Sequence, residues 1–172
     1  MARLAQGTVV IVGTWHHFQE GRALVGRPQD FNAVPVRELD AFLRSVIRTR
    51  AIAAVAEEMG DDRLEEIGGT TLVRRIACSL SLPYRNRDLS AGERAQAGLD
   101  TYAPEGSAAE LRLCEAREAA WRDCLIDFGR GPTLFVCGGK HSYRFAELLS
   151  RAGIHARVEV ERWEPGHRPE SD

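Results

Sequence analysis

The sequence lacks long hydrophobic runs, a strong net charge and any signature of a secretory leader. No stretch approaches the roughly twenty apolar residues that a membrane-spanning helix needs. The first residues show no apolar segment of secretory length followed by a small-residue cleavage site. The formal net charge of -2 offers no overall basic field for a nucleic-acid backbone. We therefore expect neither a membrane nor a nucleic acid as a partner.

Paired cysteine motifs are also missing. The four cysteines, at positions 78, 114, 124 and 137, form no C-x-x-C pair. Two of them, Cys114 and Cys124, fall in one predicted helix about 15 Å apart along its axis, which is too far for a disulfide. Reduced cysteines are typical of a cytoplasmic protein, and we predict that location.

Nucleotide-binding loops of the common kinds are absent as well. The chain has no G-x-G-x-x-G motif. The segment around Gly139-Lys140 resembles a phosphate-binding loop only in part, because position 134 is Leu where the first glycine is required. His141 also stands where Ser or Thr is required. We reject a nucleotide site there.

Two similar segments near opposite ends of the chain carry the strongest signal. Residues 9–12 are continuously apolar and are followed by Gly13 and, three residues later, His16. Residues 133–137 are also apolar and are followed by Gly138 and, three residues later, His141. A glycine at a strand end allows a sharp turn, after which the histidine can reach back over the edge of the sheet.

Alternating strand and helix patterns predict the fold class. Strands are expected at residues 9–12, 51–56, 80–84, 133–137 and 154–160, and helices at 36–50, 64–79, 90–97, from 107 onward and after 141. Residues 14–35 are interrupted by Gly and Pro and are predicted to form a long loop at the mouth of a site. The pattern indicates an α/β fold with a largely parallel central sheet and helices on both faces. We predict one domain over residues 1–164 and a flexible polar tail over residues 165–172.

Polar residues follow three of the predicted strands. Besides His16 and His141, the strand at 51–56 ends in Glu57-Glu58. Ligands bind outside the carboxyl ends of parallel strands, so these side chains are expected to converge. His16, His141 and Glu57 would suit a divalent metal such as Mn, Co or Zn, and Glu58 would then serve as general base for hydrolysis of an ester or amide.

Several alternatives remain open at this level. His17 would replace His16, and Glu58 would replace Glu57, if the neighbouring residue points inward. Each histidine alone is more simply explained as a loop cap. The adjacent carboxylates at the end of an apolar strand require a positive partner, either a metal or Arg117. Arg117 is equally well explained by a salt bridge to Glu on its own helix.

Gly13 with His16, the Glu57-Glu58 pair, Arg117, and Gly138 with His141 together resemble the signature of a known superfamily. It joins erythromycin esterase, the haem-binding ChaN proteins, and the TraB and Tiki proteases. The resemblance implies an α/β fold with a central sheet and a hydrolase site, metal-dependent in the Tiki-like branch. This chain is shorter than those relatives and lacks room for their helical insertions or membrane segments, which leaves peptides or small esters and amides as substrates.

The sequence thus predicts a hydrolase acting on a small molecule or a peptide, with a divalent metal as the expected cofactor. One alternative is a non-enzymatic module of the ChaN kind that holds haem or another ligand through His and Tyr. Trp15, Phe18 and Tyr143 would line its pocket. A further alternative is a partner-binding protein whose site has decayed. The oligomeric state does not follow from the sequence.

Overall fold

A computed structural model describes residues 7–126, 128 and 131–167. Within these residues, five strands form one sheet: β1 (Val9–Thr14), β2 (Ala54–Glu57), β3 (Tyr84–Asn86), β4 (Thr133–Gly138) and β5 (Ala156–Val160). Their order is β3-β2-β4-β1-β5, and each adjacent pair is parallel. The expected largely parallel sheet is confirmed.

Helices cover both faces of this sheet, as predicted. They are α1 (His16–Gln19), α2 (Val34–Thr49), α3 (Asp61–Glu66), α4 (Leu72–Ser79), α5 (Ala91–Gln96), α6 (Ala108–Ile126) and α7 (Ser142–Arg151). A 3-10 turn, Gly139–His141, joins β4 to α7. Parallel strands require helical crossovers of this kind, because the chain must return to the starting edge of the sheet before the next strand can begin in the same direction.

Each face of the sheet has its own apolar core. On one face, alternate strand residues such as Val12, Val55 and Val136 pack with the buried sides of α2 and α4. On the other face, Ile11 and Phe135 belong to a cluster that includes residues of α6 and α7. Strands buried on both faces explain why β1 and β4 are continuously apolar instead of alternating.

Some element boundaries differ from the predictions. The strands expected from residues 51 and 80 begin only at Ala54 and Tyr84. Ala51 and Ser81 have positive φ angles of 48° and 54° and belong to the turns that follow α2 and α4. The predicted long loop contains α1. The helix expected over 64–79 is divided into α3 and α4 around Gly68-Gly69, a break that the glycine pair in the sequence allowed.

The topology creates a crevice beside β4. After β1 and β2, the chain continues into helices on the α2 and α4 face, whereas after β4 it continues into α7 on the opposite face. Because β4 lies between β1 and β2, the chain diverges on both sides of its carboxyl end. Ligand sites of open α/β sheets lie at such switch points.

The chain returns to the sheet after β5. The Trp163 amide donates to the Gly13 carbonyl at 2.7 Å, and the Trp163 side chain is fully buried. Of the predicted tail, Gly166 donates its amide to Glu38 in α2 and His167 packs edge-on against Phe42. Residues 168–172 lie outside the described residues. In the described part of the chain, no helix is long and apolar enough to cross a membrane.

Candidate functional site

His16 and Glu58 form a pair at the carboxyl edge of the sheet. His16 is the first residue of α1, directly after β1, and Glu58 follows β2. The His16 Nε2 atom lies 3.6 Å from Glu58 Oε1, with the histidine side chain 51% exposed and the glutamate side chain 1% exposed. The imidazole is therefore reachable from solvent while its carboxylate partner is not.

Gly138 makes room for this pair. A Cβ at position 138 would lie 2.9 Å from His16 Nε2 and 3.4 Å from Glu58 Oε2. The Gly138 amide also donates to Glu58 Oε2 at 2.6 Å. The glycine at the end of β4 thus leaves space for the His16 imidazole and donates a hydrogen bond to the Glu58 carboxylate.

Glu58 is held in its charged form. Burial alone would raise the pKa of this carboxyl, but electrostatic interactions with His16, Arg117 and His141 and the hydrogen bond from Gly138 bring the pKa below its ordinary value. The ionised Glu58 carboxylate therefore faces the His16 imidazole at 3.6 Å, an ion-pair distance that is longer than a hydrogen bond.

Arg117 is the positive partner of Glu58. Its Nη2 contacts Glu58 Oε1, and its Nε and Nη2 each donate to one oxygen of Asp88 at 2.8 Å. Burial alone would lower the pKa of Arg117, but Glu58 and Asp88 raise it above its ordinary value. Arg117 therefore contacts the carboxylate that follows β2, which is one of the two explanations that the sequence left open for this residue. The second carboxylate that it contacts belongs to Asp88, after β3.

Glu57 lies on the other side of the sheet from Glu58. Its Oε1 accepts hydrogen bonds from the hydroxyls of Thr71 and Tyr84, and its Oε2 accepts one from Gln19 at 2.9 Å. The residue is fully buried. Burial raises the pKa of Glu57, although these three hydrogen bonds act in the opposite direction.

His141 forms a second, buried pair with a glutamate of α6. Its Nδ1 lies 2.9 Å from Glu118 Oε1, and both side chains are at most 2% exposed. The other Glu118 oxygen lies 3.4 Å from Arg144. His141 Nε2 is buried and has no hydrogen-bond partner among the described residues.

Glu118 was missed by sequence reasoning. The buried side of α6 includes Cys114, Glu118, Trp121 and Leu125, whereas Leu111 is 46% exposed. A glutamate at a core position, four residues after Cys114, is the signal that would have identified it. Charged residues are seldom buried without a partner.

The predicted metal ligands do not come together as one group. Glu57 is occupied by three hydrogen bonds on the α4 side, while His16 lies against Glu58. Over residues 7–126, 128 and 131–167, no group of three or more His, Cys, Asp or Glu is arranged to hold a metal ion. The residues present do not fit the predicted set of His16, Glu57 and His141, and the dependence on Mn, Co or Zn remains a prediction.

The other candidates have distinct environments. His17 packs against Phe18 with ring centroids 4.1 Å apart, and burial lowers its pKa. His155 Nδ1 lies 3.1 Å from Thr8 Oγ1, at the amino end of β1. Trp15 and Tyr143 are 43% and 62% exposed. His16, and not His17, is thus the histidine beside the carboxylate.

An open depression of about 260 Å³ gives access to the His16 and Glu58 pair, and Arg117 forms part of its wall. Its outer wall contains Glu20, which receives two hydrogen bonds from Arg63, at 2.7 and 2.8 Å. The side chains around the depression are mainly charged, so it favours a polar substrate.

Comparisons with protein-family models, with curated proteins and with solved structures find no match for this chain. The geometry of the site is therefore the basis for assigning a function.

Proposed function

We propose that this protein is a hydrolase of ester or amide bonds in small molecules or peptides, with His16 as general base. The observation that carries the proposal is the half-exposed His16 imidazole, 3.6 Å from a buried carboxylate, in an open depression at the switch point of the sheet. This pairing supplies the base and its orienting group, which are two of the parts that hydrolysis of a carbonyl compound requires.

The reaction would proceed through the histidine. With Nε2 toward Glu58, Nδ1 of His16 accepts a proton from water as the water oxygen attacks the carbonyl carbon. The bond to the leaving oxygen or nitrogen then breaks, and the imidazolium returns its proton to the leaving group. Glu58 stabilises the imidazolium between these two steps.

Arg117 acts as a positioning residue in this scheme. Its Nε and Nη2 are occupied by Asp88 and Glu58, so its main effect is to hold the Glu58 carboxylate in place and ionised. The contacts of Arg117 support orientation of a carboxylate more than stabilisation of an oxyanion. No step is assigned to a metal, since the residues do not form the predicted ligand group.

The resemblance to the superfamily of erythromycin esterase, ChaN, TraB and Tiki proteins is part of this proposal. In its support, Gly13 with His16, and Gly138 with His141, lie at the ends of neighbouring strands, although His16 pairs with Glu58 and His141 with Glu118. The four free cysteines support the proposed cytoplasmic location.

The test is hydrolysis of a panel of 4-nitrophenyl esters and fluorogenic peptides. We expect His16→Ala and Glu58→Gln each to lower kcat/KM by about 10²- to 10⁴-fold, the usual contribution of a general base. His155→Ala is the matched control, because His155 lies at the opposite edge of the sheet. Equal activity of His16→Ala and the parent protein would contradict the proposal.

Metal and haem dependence is measured on the same samples. Assays with EDTA and with added Mn, Co or Zn determine whether a metal contributes, and haemin titration followed by absorbance tests the ChaN-like alternative. Stoichiometric haem binding without turnover would replace the hydrolase proposal. If neither hydrolysis nor haem binding is detected, and His16→Ala leaves the biological activity unchanged, the partner-binding alternative is favoured.

A further inference from the structure

A second depression, of about 270 Å³, lies next to the one that contains His16. The two share Asp88 and Arg117, so the Asp88–Arg117 ion pair separates them. Arg94 of α5 and Lys140 of the 3-10 turn also line the second depression. Three cationic side chains therefore surround a space directly beside the proposed reaction site.

The two carboxylates of this depression are already engaged. Both oxygens of Asp88 accept hydrogen bonds from Arg117 at 2.8 Å. Glu110 accepts one from Lys140 Nζ at 2.8 Å and one from the Gly106 amide at 2.6 Å. The hydrogen bond from Lys140 and that from Gly106 lower the pKa of Glu110, which therefore stays ionised and pairs with the lysine.

Arg94 lacks a comparable partner among the described residues. Its Nη1 donates to the Leu89 carbonyl, and its Nη2 reaches Asp62 only at 4.0 Å. Its Nε is buried without a hydrogen-bond partner in the described part of the chain. Lys140, whose side chain is 52% exposed, has further ammonium protons available after pairing with Glu110. Three cationic and two anionic side chains thus line the depression, and Arg94 is the cation with the longest ion pair, 4.0 Å to Asp62.

We propose that this depression binds an anionic oxygen group of the substrate, a carboxylate or a phosphate, through Arg94 and Lys140. The geometry places such a group on the far side of Arg117 from the His16 and Glu58 pair, so the bond to be cleaved lies in the neighbouring depression. Arginine and lysine are the side chains that bind these groups by charge-assisted hydrogen bonds. The link to cleavage rests on the proposed hydrolase function, whereas anion binding itself does not.

Anion binding is measured on the full chain by ¹H–¹⁵N NMR with inorganic phosphate in one titration and succinate in another. We expect the Arg94 Nε–H signal to shift with at least one of them. Arg94→Gln and Lys140→Gln should each weaken that affinity about tenfold or more, the effect of losing a charged hydrogen bond. Arg48→Gln, which removes the same charge from the exposed side of α2, is the matched control and should bind as the parent does.

Two results would overturn the anion site. One is the absence of any shift with both ligands at tens of millimolar and low ionic strength, where screening is weak. The other is unchanged affinity in both Arg94→Gln and Lys140→Gln, each shown to be folded by its amide spectrum. The choice between phosphate and succinate identifies which anionic group the site prefers.

A kinetic comparison then tests the link to cleavage. For mono-4-nitrophenyl succinate, Arg94→Gln should raise KM about tenfold and leave kcat nearly unchanged. 4-nitrophenyl acetate, which lacks the second carboxylate, should be hydrolysed equally by the parent protein and by Arg94→Gln. An equal effect on the two esters would overturn the link. If no ester or peptide of the panel is hydrolysed but phosphate or succinate binding depends on Arg94, the hydrolase proposal fails and the anion site stands.

Discussion

Gly138 is the residue whose missing side chain leaves space for the His16 imidazole. Its φ and ψ of -60° and 135° suit any residue, so alanine would introduce no backbone strain. The added methyl would, however, lie 2.9 Å from His16 Nε2. We expect Gly138→Ala to displace the half-exposed histidine and to lower kcat/KM about a hundredfold, with unfolding free energy within about 1 kcal/mol of the parent.

Gly92→Ala in α5 is the control for this substitution. The nearest atom to a Cβ there is Ser90 Oγ at 3.9 Å, and the residue is helical. Alanine should leave the rate unchanged and add about 0.5–1 kcal/mol of stability. Ester assays and urea unfolding of both variants measure the two quantities. A Gly138→Ala variant with full activity would show that His16 does not act from its observed position.

Glu57 should make stability fall as the pH rises from weakly acidic values. Its pKa is raised in the folded state, so above about pH 4.5 the folded protein retains a proton that the unfolded chain has released. Stability is therefore lost as the pH increases through the folded pKa. For one proton, the slope is at most about 1.4 kcal/mol per pH unit.

Glu57→Gln removes this titration while keeping the shape of the side chain. Urea unfolding of both proteins between pH 5 and pH 8 should give a stability difference, variant minus parent, that becomes more positive with pH. Glu159→Gln is the comparison, because Glu159 lies on the edge strand β5 and is paired with Arg50, whereas Glu57 is buried among hydroxyl and amide hydrogen-bond donors. A constant difference across this range for Glu57→Gln would mean that Glu57 is ionised throughout.

At the scale of elements, α1 carries His16, is tied to the sheet by the Gln19 hydrogen bond to Glu57, and is tied to α3 through Glu20. Glu20, which ends α1, accepts two hydrogen bonds from Arg63 at 2.7 and 2.8 Å. Because α1 has only four residues, its own hydrogen bonds are a weak restraint. We expect Arg63→Gln to lower kcat/KM severalfold and to lower stability by about 1 kcal/mol, since Glu20 retains Arg22 at 3.0 Å.

Amide hydrogen exchange locates the effect of Arg63→Gln. The amides of Phe18 to Arg22 should exchange faster, while those of β1 should not change. Arg151→Gln is the matched control, because it removes an exposed ion pair to Glu147 within α7. If α1 were protected equally in both variants, Arg63 would have no part in holding His16.

The sequence could predict the elements with strong local patterns. The apolar runs of β1 and β4 and the capping box at Ser90 and Glu93 are local, and each appears in the structure. α1 could not be predicted, because four residues show no helical period. The starts of β2 and β3 depend on left-handed turns at Ala51 and Ser81, which neither residue type favours.

At the scale of the whole molecule, the site depends on strand order. The sequence placed polar residues after the predicted strands, but the position of β4 between β1 and β2 depends on contacts between distant segments. At the end of β2, adjacent side chains alternate between faces, so sequence alone could not decide between Glu57 and Glu58. Glu118 could not be placed at the site for a similar reason, since its partner His141 is 23 residues away in the sequence.

Arg117 connects three parts of the fold, since it lies on α6 and contacts Glu58 after β2 and Asp88 after β3. Arg117→Met keeps much of the side-chain volume but leaves the buried Glu58 carboxylate without this partner. Loss of one member of a buried ion pair costs about 3–5 kcal/mol, and we expect a loss of that size at pH 7. Arg122→Met, on the same helix and paired with the exposed Asp123, should change stability by less than about 1 kcal/mol.

The pH dependence of that loss distinguishes an electrostatic effect from a packing effect. The pKa of Glu58 is lowered in the folded state, so its contribution to stability is present above about pH 4.5 and disappears as the pH falls through the folded pKa. The stability difference between the parent and Arg117→Met should therefore be largest at neutral pH and shrink in acid. Urea unfolding at pH 7, 5 and 4 measures it. A difference that stays constant over this range would assign the role of Arg117 to packing against Trp121, whose ring centre lies 5.4 Å from the guanidinium carbon.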